Sequence, residues 1–115
     1  MFDFEQLDVY HKARDFRKKL YTILATKNSI DRNLLDQLKR ASLSIVLNIA
    51  EGSGKSSKAD KRNFYVTARG STYEVVAIMD ILFDDGIIAD DEKEGLYKGL
   101  ETISKMLLGL INHLR

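Results

Sequence analysis

Seven cations gather in the middle of the chain: Lys39, Arg40, Lys55, Lys58, Lys61, Arg62 and Arg69. Lys58, Lys61 and Arg62 stand three and four residues apart, so a helix would present them on one face, with Lys55 just before it. Such a face suits phosphate backbones, where each Lys or Arg contact releases a condensed counterion. The start of a helix would add the positive end of its dipole. Lys55, Lys58, Lys61, Arg62 and Lys39 are therefore the candidate nucleic-acid-binding set, and a solvated helix face is the alternative. No recognition-helix motif or stacking platform accompanies them, so RNA or DNA contact through this set is expected to be indifferent to sequence.

Other chemistries find less support. Gly52-Ser53-Gly54-Lys55-Ser56 resembles the end of a phosphate-binding loop, but Ile49 stands where that loop needs its first Gly, and a helix rather than a strand leads in. Asp84, Asp85, Asp90, Asp91 and Glu92 lack the alternate spacing and final Glu of a calcium loop. His11 and His113 lie near opposite ends of the sequence, with no nucleophile spaced to either. Absence of Cys excludes disulfides, thiolate metal sites and Cys nucleophiles. The reading is a protein with no catalytic residue, no metal and no cofactor.

Asn48 and Glu51 call for a structural role. Asn48 falls at a seam position of its helix, where a polar side chain costs stability but can fix register or oligomeric state. Glu51 is three residues on; if partly buried it needs a cation, for which Arg40 and Arg69 are the candidates, with Glu74 on the next helix.

These residues are positioned by helices. The 115 residues fit one domain, 1–115, and 44% hydrophobic content is that of a globular chain. No run is long enough to span a membrane and no signal peptide opens the chain, so a reduced, cytoplasmic setting is expected. Net charge is only +1, yet residues 1–70 carry 14 Lys/Arg against 8 Asp/Glu while residues 71–115 carry 4 against 9. That asymmetry suits an anionic partner or self-association of unlike surfaces.

Without Pro, long helices are unbroken. Val9, Ala13, Phe16, Leu20 and Ile23 predict a helix over about 4–27, opened by Asp3 as cap with a Phe2–Leu7 staple. Leu34, Leu38, Ala41, Ile45 and Asn48 predict a second over about 31–52. Residues 43–50 are apolar almost all round, a surplus that implies a further contact surface. Ser57 and Asp60 reopen a helix over about 57–84, with one stripe of Phe64, Ala68, Ser71, Val75, Ile78 and Leu82, and another of Tyr65, Thr72, Val76, Met79 and Phe83. Gly86 stops it, and Asp90 caps a fourth helix over about 90–114, carried by Leu96, Leu100, Ile103, Leu107, Leu110 and Leu114. The expected fold is all-α, an antiparallel up-down four-helix bundle.

Several motifs resemble one bacterial family. Gln37-Leu38-Lys39-Arg40-Ala41, Ser44-Ile45, Asn48-Ile49-Ala50-Glu51-Gly52, Gly54-Lys55 and Gly70-Ser71 with Glu74 are similar to the 23S ribosomal RNA intervening-sequence proteins. So are Leu7-x-Val9-Tyr10-x-x-Ala13 near the start and Ile103-x-x-Met106-Leu107-x-x-Leu110-Ile111 near the end. Two features depart from the family pattern: Val46 replaces a common Pro, and the first turn lacks an aromatic-proline pair. The resemblance implies a four-helix bundle of undefined activity. A similar bundle, the accessory protein of diversity-generating retroelements, forms a pentameric barrel and binds nucleic acid and a reverse transcriptase. By that analogy the chain is expected to be a non-catalytic, ring-forming homo-oligomer, pentamer favoured, that adapts RNA or DNA; a protein-binding scaffold without nucleic-acid contact is the alternative.

Overall fold

The computed structural model describes residues 1–115 and contains helices and no strand. A short 3₁₀ turn (Asp3–Gln6) precedes α1 (Asp8–Leu24), α2 (Arg32–Ser53), α3 (Lys58–Asp84) and α4 (Asp90–His113). No helix is long and apolar enough to cross a membrane.

The helix ends follow local chemistry, in two places differently from the sequence expectation. Asp31 and Ser57 accept from the N–H groups of Leu34 and Asp60, at 3.0 Å each, and so cap α2 and α3. Gly86 (φ 75°) ends α3: its N–H donates to Phe83 O while Ile87 N–H reaches Leu82 O, an arrangement needing a left-handed residue. The first departure is at the start of the chain. Asp3 does not cap the long helix; it opens the 3₁₀ turn, where Glu5 accepts from the Phe2 N–H, and extended Leu7 separates that turn from α1. Phe2 stacks on Phe4 instead of stapling to Leu7. Secondly, Asp90 is the first residue of α4 and Ala89 holds the cap position. Glu92 closes that end by accepting from the Ala89 N–H at 2.9 Å.

The four helices surround one core. The helix backbones approach one another between sequence neighbours and between α1 and α4, and not across either diagonal. Leu20, Leu38, Ile45, Ile49, Val75, Leu82, Leu96, Leu100, Ile103 and Leu107 are fully enclosed. The pairs Gln37–Glu74 and Ser53–Lys61 set the start of α2 beside the end of α3, and its end beside the start of α3. The second α3 stripe belongs to this same core: Tyr65, Thr72 and Met79 are buried and Val76 and Phe83 are half-buried. Tyr65, not Phe64, is the core aromatic of the first turns, and its burial raises the phenol pKa.

The α2–α3 contact is the most extensive and is lined with small residues. Ser44, Gly52 and Ser71 stand along it, and Ser44 and Ser71 share a hydrogen bond of 2.9 Å. At Gly52 a Cβ would lie 2.8 Å from Phe64 Cβ and 3.0 Å from the Tyr65 ring. At the other end of the molecule, Lys27 donates to both carboxylate oxygens of Glu92, at 2.8 and 3.1 Å, tying the end of α1 to the start of α4.

Gly52→Ala is expected to cost about 1–3 kcal/mol by forcing α2 from α3. Gly54→Ala, where the added methyl meets only Glu51 O at 3.7 Å, should be nearly silent; chemical denaturation of the pair checks this. The Ala89 N–H, then Lys27, holds the Glu92 carboxyl below its ordinary pKa. A depressed carboxylate stabilises the fold above its unfolded pKa, and that stabilisation is lost as pH falls through the folded value. Glu92→Gln should therefore lower the melting temperature at neutral pH and blunt its fall on acidification, as thermal melts across the acid range would show.

Candidate nucleic-acid interface

The cations around the turn between α2 and α3 are less free than their spacing predicts. Lys61 Nζ donates to Ser53 O at 2.7 Å, satisfying a carbonyl at the end of α2. Arg62 donates to Leu114 O at 3.0 Å and does the same for α4. Both side chains are half-buried. Lys55 is exposed and lies over the Phe64 ring, 4.9 Å from its centre. Lys58 alone of the four is exposed with no partner in the chain. One sequence spacing thus supplies two cations that close helix ends and two that face solvent.

The Asn48–Glu51 group also resolves differently. Ile49, fully buried, carries the α2 seam where Asn48 was expected. Asn48 is half-buried and donates to Ser44 O and Ser44 Oγ of its own helix, at 2.9 Å each. Glu51 is exposed and forms no ion pair; Arg40 is exposed as well. The expected partners are occupied elsewhere: Arg69 Nε donates to Ser104 O at 3.3 Å and covers the Tyr73 ring, while Glu74 accepts from Gln37. The expectation of a buried Glu51 pair fails because position 51 points away from the core once Ile49 and Gly52 are packed inside.

Of the apolar girth at 43–50, Ile45, Val46 and Ile49 enter the chain's own core. Leu43 and Leu47 remain exposed, at 39% and 48%. A second apolar surface lies between α3 and α4, where Val66, Tyr73, Tyr97 and Leu108 are exposed along a shallow groove. No group of three or more His, Asp or Glu side chains converges, and His11 closes the opening turn by pairing with Glu5 O at 2.7 Å.

One charged group went unnoticed in the sequence. The Arg17 guanidinium lies 4.4 Å from the centre of the Tyr21 ring, and Lys39 from α2 lies 5.5 Å from the same ring. Arg14 lies 5.6 Å from the Tyr10 ring. Tyr10 in turn packs on Phe4, which stacks on exposed Phe2. The signal was available as Tyr10, Arg14, Arg17 and Tyr21 at spacings of 4, 3 and 4, the same period as the apolar seams. Lys39 thereby leaves the turn group and joins the α1–α2 face.

With this geometry in view, comparison with known proteins fixes the family. The model of the 23S rRNA-intervening sequence protein family matches residues 5–109. The chain belongs to that family. A solved structure similar to this member is a protein of unknown function from the S23 ribosomal protein family of Bacteroides thetaiotaomicron, 24% identical, with a TM-score of 0.82. The alignment covers 90% of this chain and 97% of that one, and shows a shared fold. No curated protein matches the chain. In this family member, the Asn-Ile-Ala-Glu-Gly run divides its labour: Ile49 fills the core, Gly52 admits α3, and Glu51 faces out.

Lys61→Gln and Arg62→Gln are each expected to lower stability by about 1–2 kcal/mol, because each removes a charge-assisted bond to a helix-end carbonyl. Lys58→Gln should stay within about 0.5 kcal/mol of the parent. Denaturant midpoints for the three variants distinguish structural from free cations.

Proposed function

We propose that this intervening-sequence family member is a non-catalytic oligomeric adaptor of the cytoplasm: an antiparallel up-down bundle that closes into a ring, with five copies expected, and offers its cations to RNA or DNA. The observation carrying this reading is that apolar side chains are exposed on two separate faces of one chain, Leu43 and Leu47 on α2, and Val66, Tyr73, Tyr97 and Leu108 between α3 and α4. Two unlike faces suit a head-to-tail contact, which forms a closed ring when the rotation between copies closes. Charge supports the same pairing. The α2 ridge has Arg40 towards its start and Glu51 towards its end. The groove has Asp80 and Glu101 towards one end and Arg69 and Arg115 towards the other. Arg40 and Glu51, unpaired within the chain, would then share in the next copy the charges of Asp80 and Glu101, which Lys93 and Lys105 already hold, and of Arg69 and Arg115.

A ring also supports the nucleic-acid part of the proposal, because repetition of a weak cationic site multiplies its effective affinity. Lys55 and Lys58, at the start of α3, are the cations of the predicted patch that remain open for phosphate. A scaffold that contacts only protein is the reading that survives if no nucleic acid binds.

Light scattering at micromolar protein should give a mass several times 13.1 kDa, with five copies expected. Leu47→Glu or Tyr73→Glu should each yield monomer, while an equimolar mixture of the two should dimerise through the intact face each retains. A wild type of 13.1 kDa would overturn the ring.

A further inference from the structure

We infer that the face shared by α1 and α2 is where a single-stranded nucleic acid lays its phosphates, with Arg14, Arg17 and Lys39 as contacts. This rests on the nucleic-acid part of the reading above, and moves the principal site from the α2–α3 turn to the side of the molecule.

Electrostatics and geometry carry the assignment. Tyr10, Arg14, Arg17 and Tyr21 form one stripe along α1, about 16 Å long at the helical rise. Arg17 and Lys39 approach the same Tyr21 ring from two helices, which holds two like charges within about 10 Å of each other. Here the ion pairs are Lys27–Glu92, Lys93–Asp80, Lys98–Glu94 and Lys105–Glu101, so none involves the stripe. Asp15 adjoins Arg14 and Asp36 lies one turn before Lys39, yet neither comes within ion-pair distance of these cations. The Arg17 Nε is buried with no hydrogen-bond partner, the only side-chain nitrogen or oxygen in the chain so placed.

Each cation is nevertheless held in place by a ring. A guanidinium over a tyrosine keeps its planar donor fork oriented, so less freedom is lost when an anion arrives. A phosphate oxygen pair matches that fork in a bidentate contact. Cations alternating with aromatic rings are also how non-specific grooves track a flexible strand, phosphates on the charges and bases against the rings. Phe2, 70% exposed and stacked on Phe4 beside Tyr10, extends the aromatic surface at one end. Two arginines flanked by rings, with Lys39 beside the second ring, fit a single strand better than an acidic protein surface, whose carboxylates have no use for the rings.

The test is fluorescence anisotropy of a labelled oligouridylate of about twelve nucleotides, a length within the usual site size for such grooves. In low salt the wild type is expected to bind. Arg17→Glu with Lys39→Glu should weaken binding at least about tenfold and reduce the salt slope by about 1.4, the release expected for two lost contacts on a single strand. Lys55→Glu with Lys58→Glu should weaken binding clearly less than the α1–α2 pair does. Lys39→Glu alone, at an exposed position, reads the same face should the double variant unfold; light scattering on every variant separates a lost ring from a lost contact. Binding that ignores the α1–α2 variants but falls with Lys55 and Lys58 overturns this site and leaves the adaptor reading standing. Oligoglutamate bound as tightly as the RNA, with the same variant dependence, also overturns it, making the face a carboxylate dock. Failure of the wild type to bind any RNA or DNA overturns both.

Discussion

Two helices approach closely only where the residues between them are small, and this fold depends on such an approach between α2 and α3. Gly52 leaves no room for a Cβ against Phe64 and Tyr65, and Ser44 and Ser71 continue the narrow contact. Dispersion falls steeply with separation, so close packing along two long helices gives many contacts without large side chains. Close approach has a second consequence. Backbone carbonyls at the end of α2 come within reach of the first turn of α3, and Lys61 reaches Ser53 O from there. What resembles a binding patch in sequence is therefore partly the closure of a helix end.

The same economy governs the other cations. Lys27 is held by Glu92 where α1 meets α4, Arg62 by Leu114 O, and Arg69 by Ser104 O. Each joins two elements, and each has a fixed acceptor. Arg14, Arg17 and Lys39, like Lys55 over Phe64, are held by aromatic rings that orient a cation without neutralising it. The chain thus contains two populations of positive charge, one neutralised or capped by the fold and one left electrically open. Net charge near zero conceals this division, because residues 71–115 hold 9 of the 17 acidic residues but only 4 of the 18 basic ones.

Helical periodicity made most of the fold legible. Seams at spacings of 3 and 4 located all four helices, since the 3.6-residue period allows little else to bury Val9, Leu38, Val75 or Leu107. Helix ends were legible where one residue controls the local chemistry, as at Asp31, Ser57 and Gly86. They were not where the backbone had two alternatives: Asp3 can open a 3₁₀ turn as readily as cap a long helix, and Glu92 can close α4 without Asp90 as cap. Asn48 was misplaced by less than a third of a turn; the seam could pass through 48 or 49, and burial of Ile49 over Asn decides it. Charge was the least legible property. Spacing reports which side chains share a face, but whether Lys61 points to solvent or to Ser53 O depends on a neighbouring helix.

That limit explains why the α1 stripe escaped a reading based on apolar residues. Tyr10, Arg14, Arg17 and Tyr21 have the period of a core seam, displaced around the helix from Val9, Ala13, Phe16 and Leu20. One helix therefore carries two parallel seams, one buried and one at its flank against α2. On the flank, rings lie under the arginine guanidiniums, and burial of Arg17 Nε leaves a donor without an acceptor. A core seam is completed by the chain's own helices. A seam of cations and tyrosines stays open, because nothing in the folded chain pairs a carboxylate with Arg14, Arg17 or Lys39.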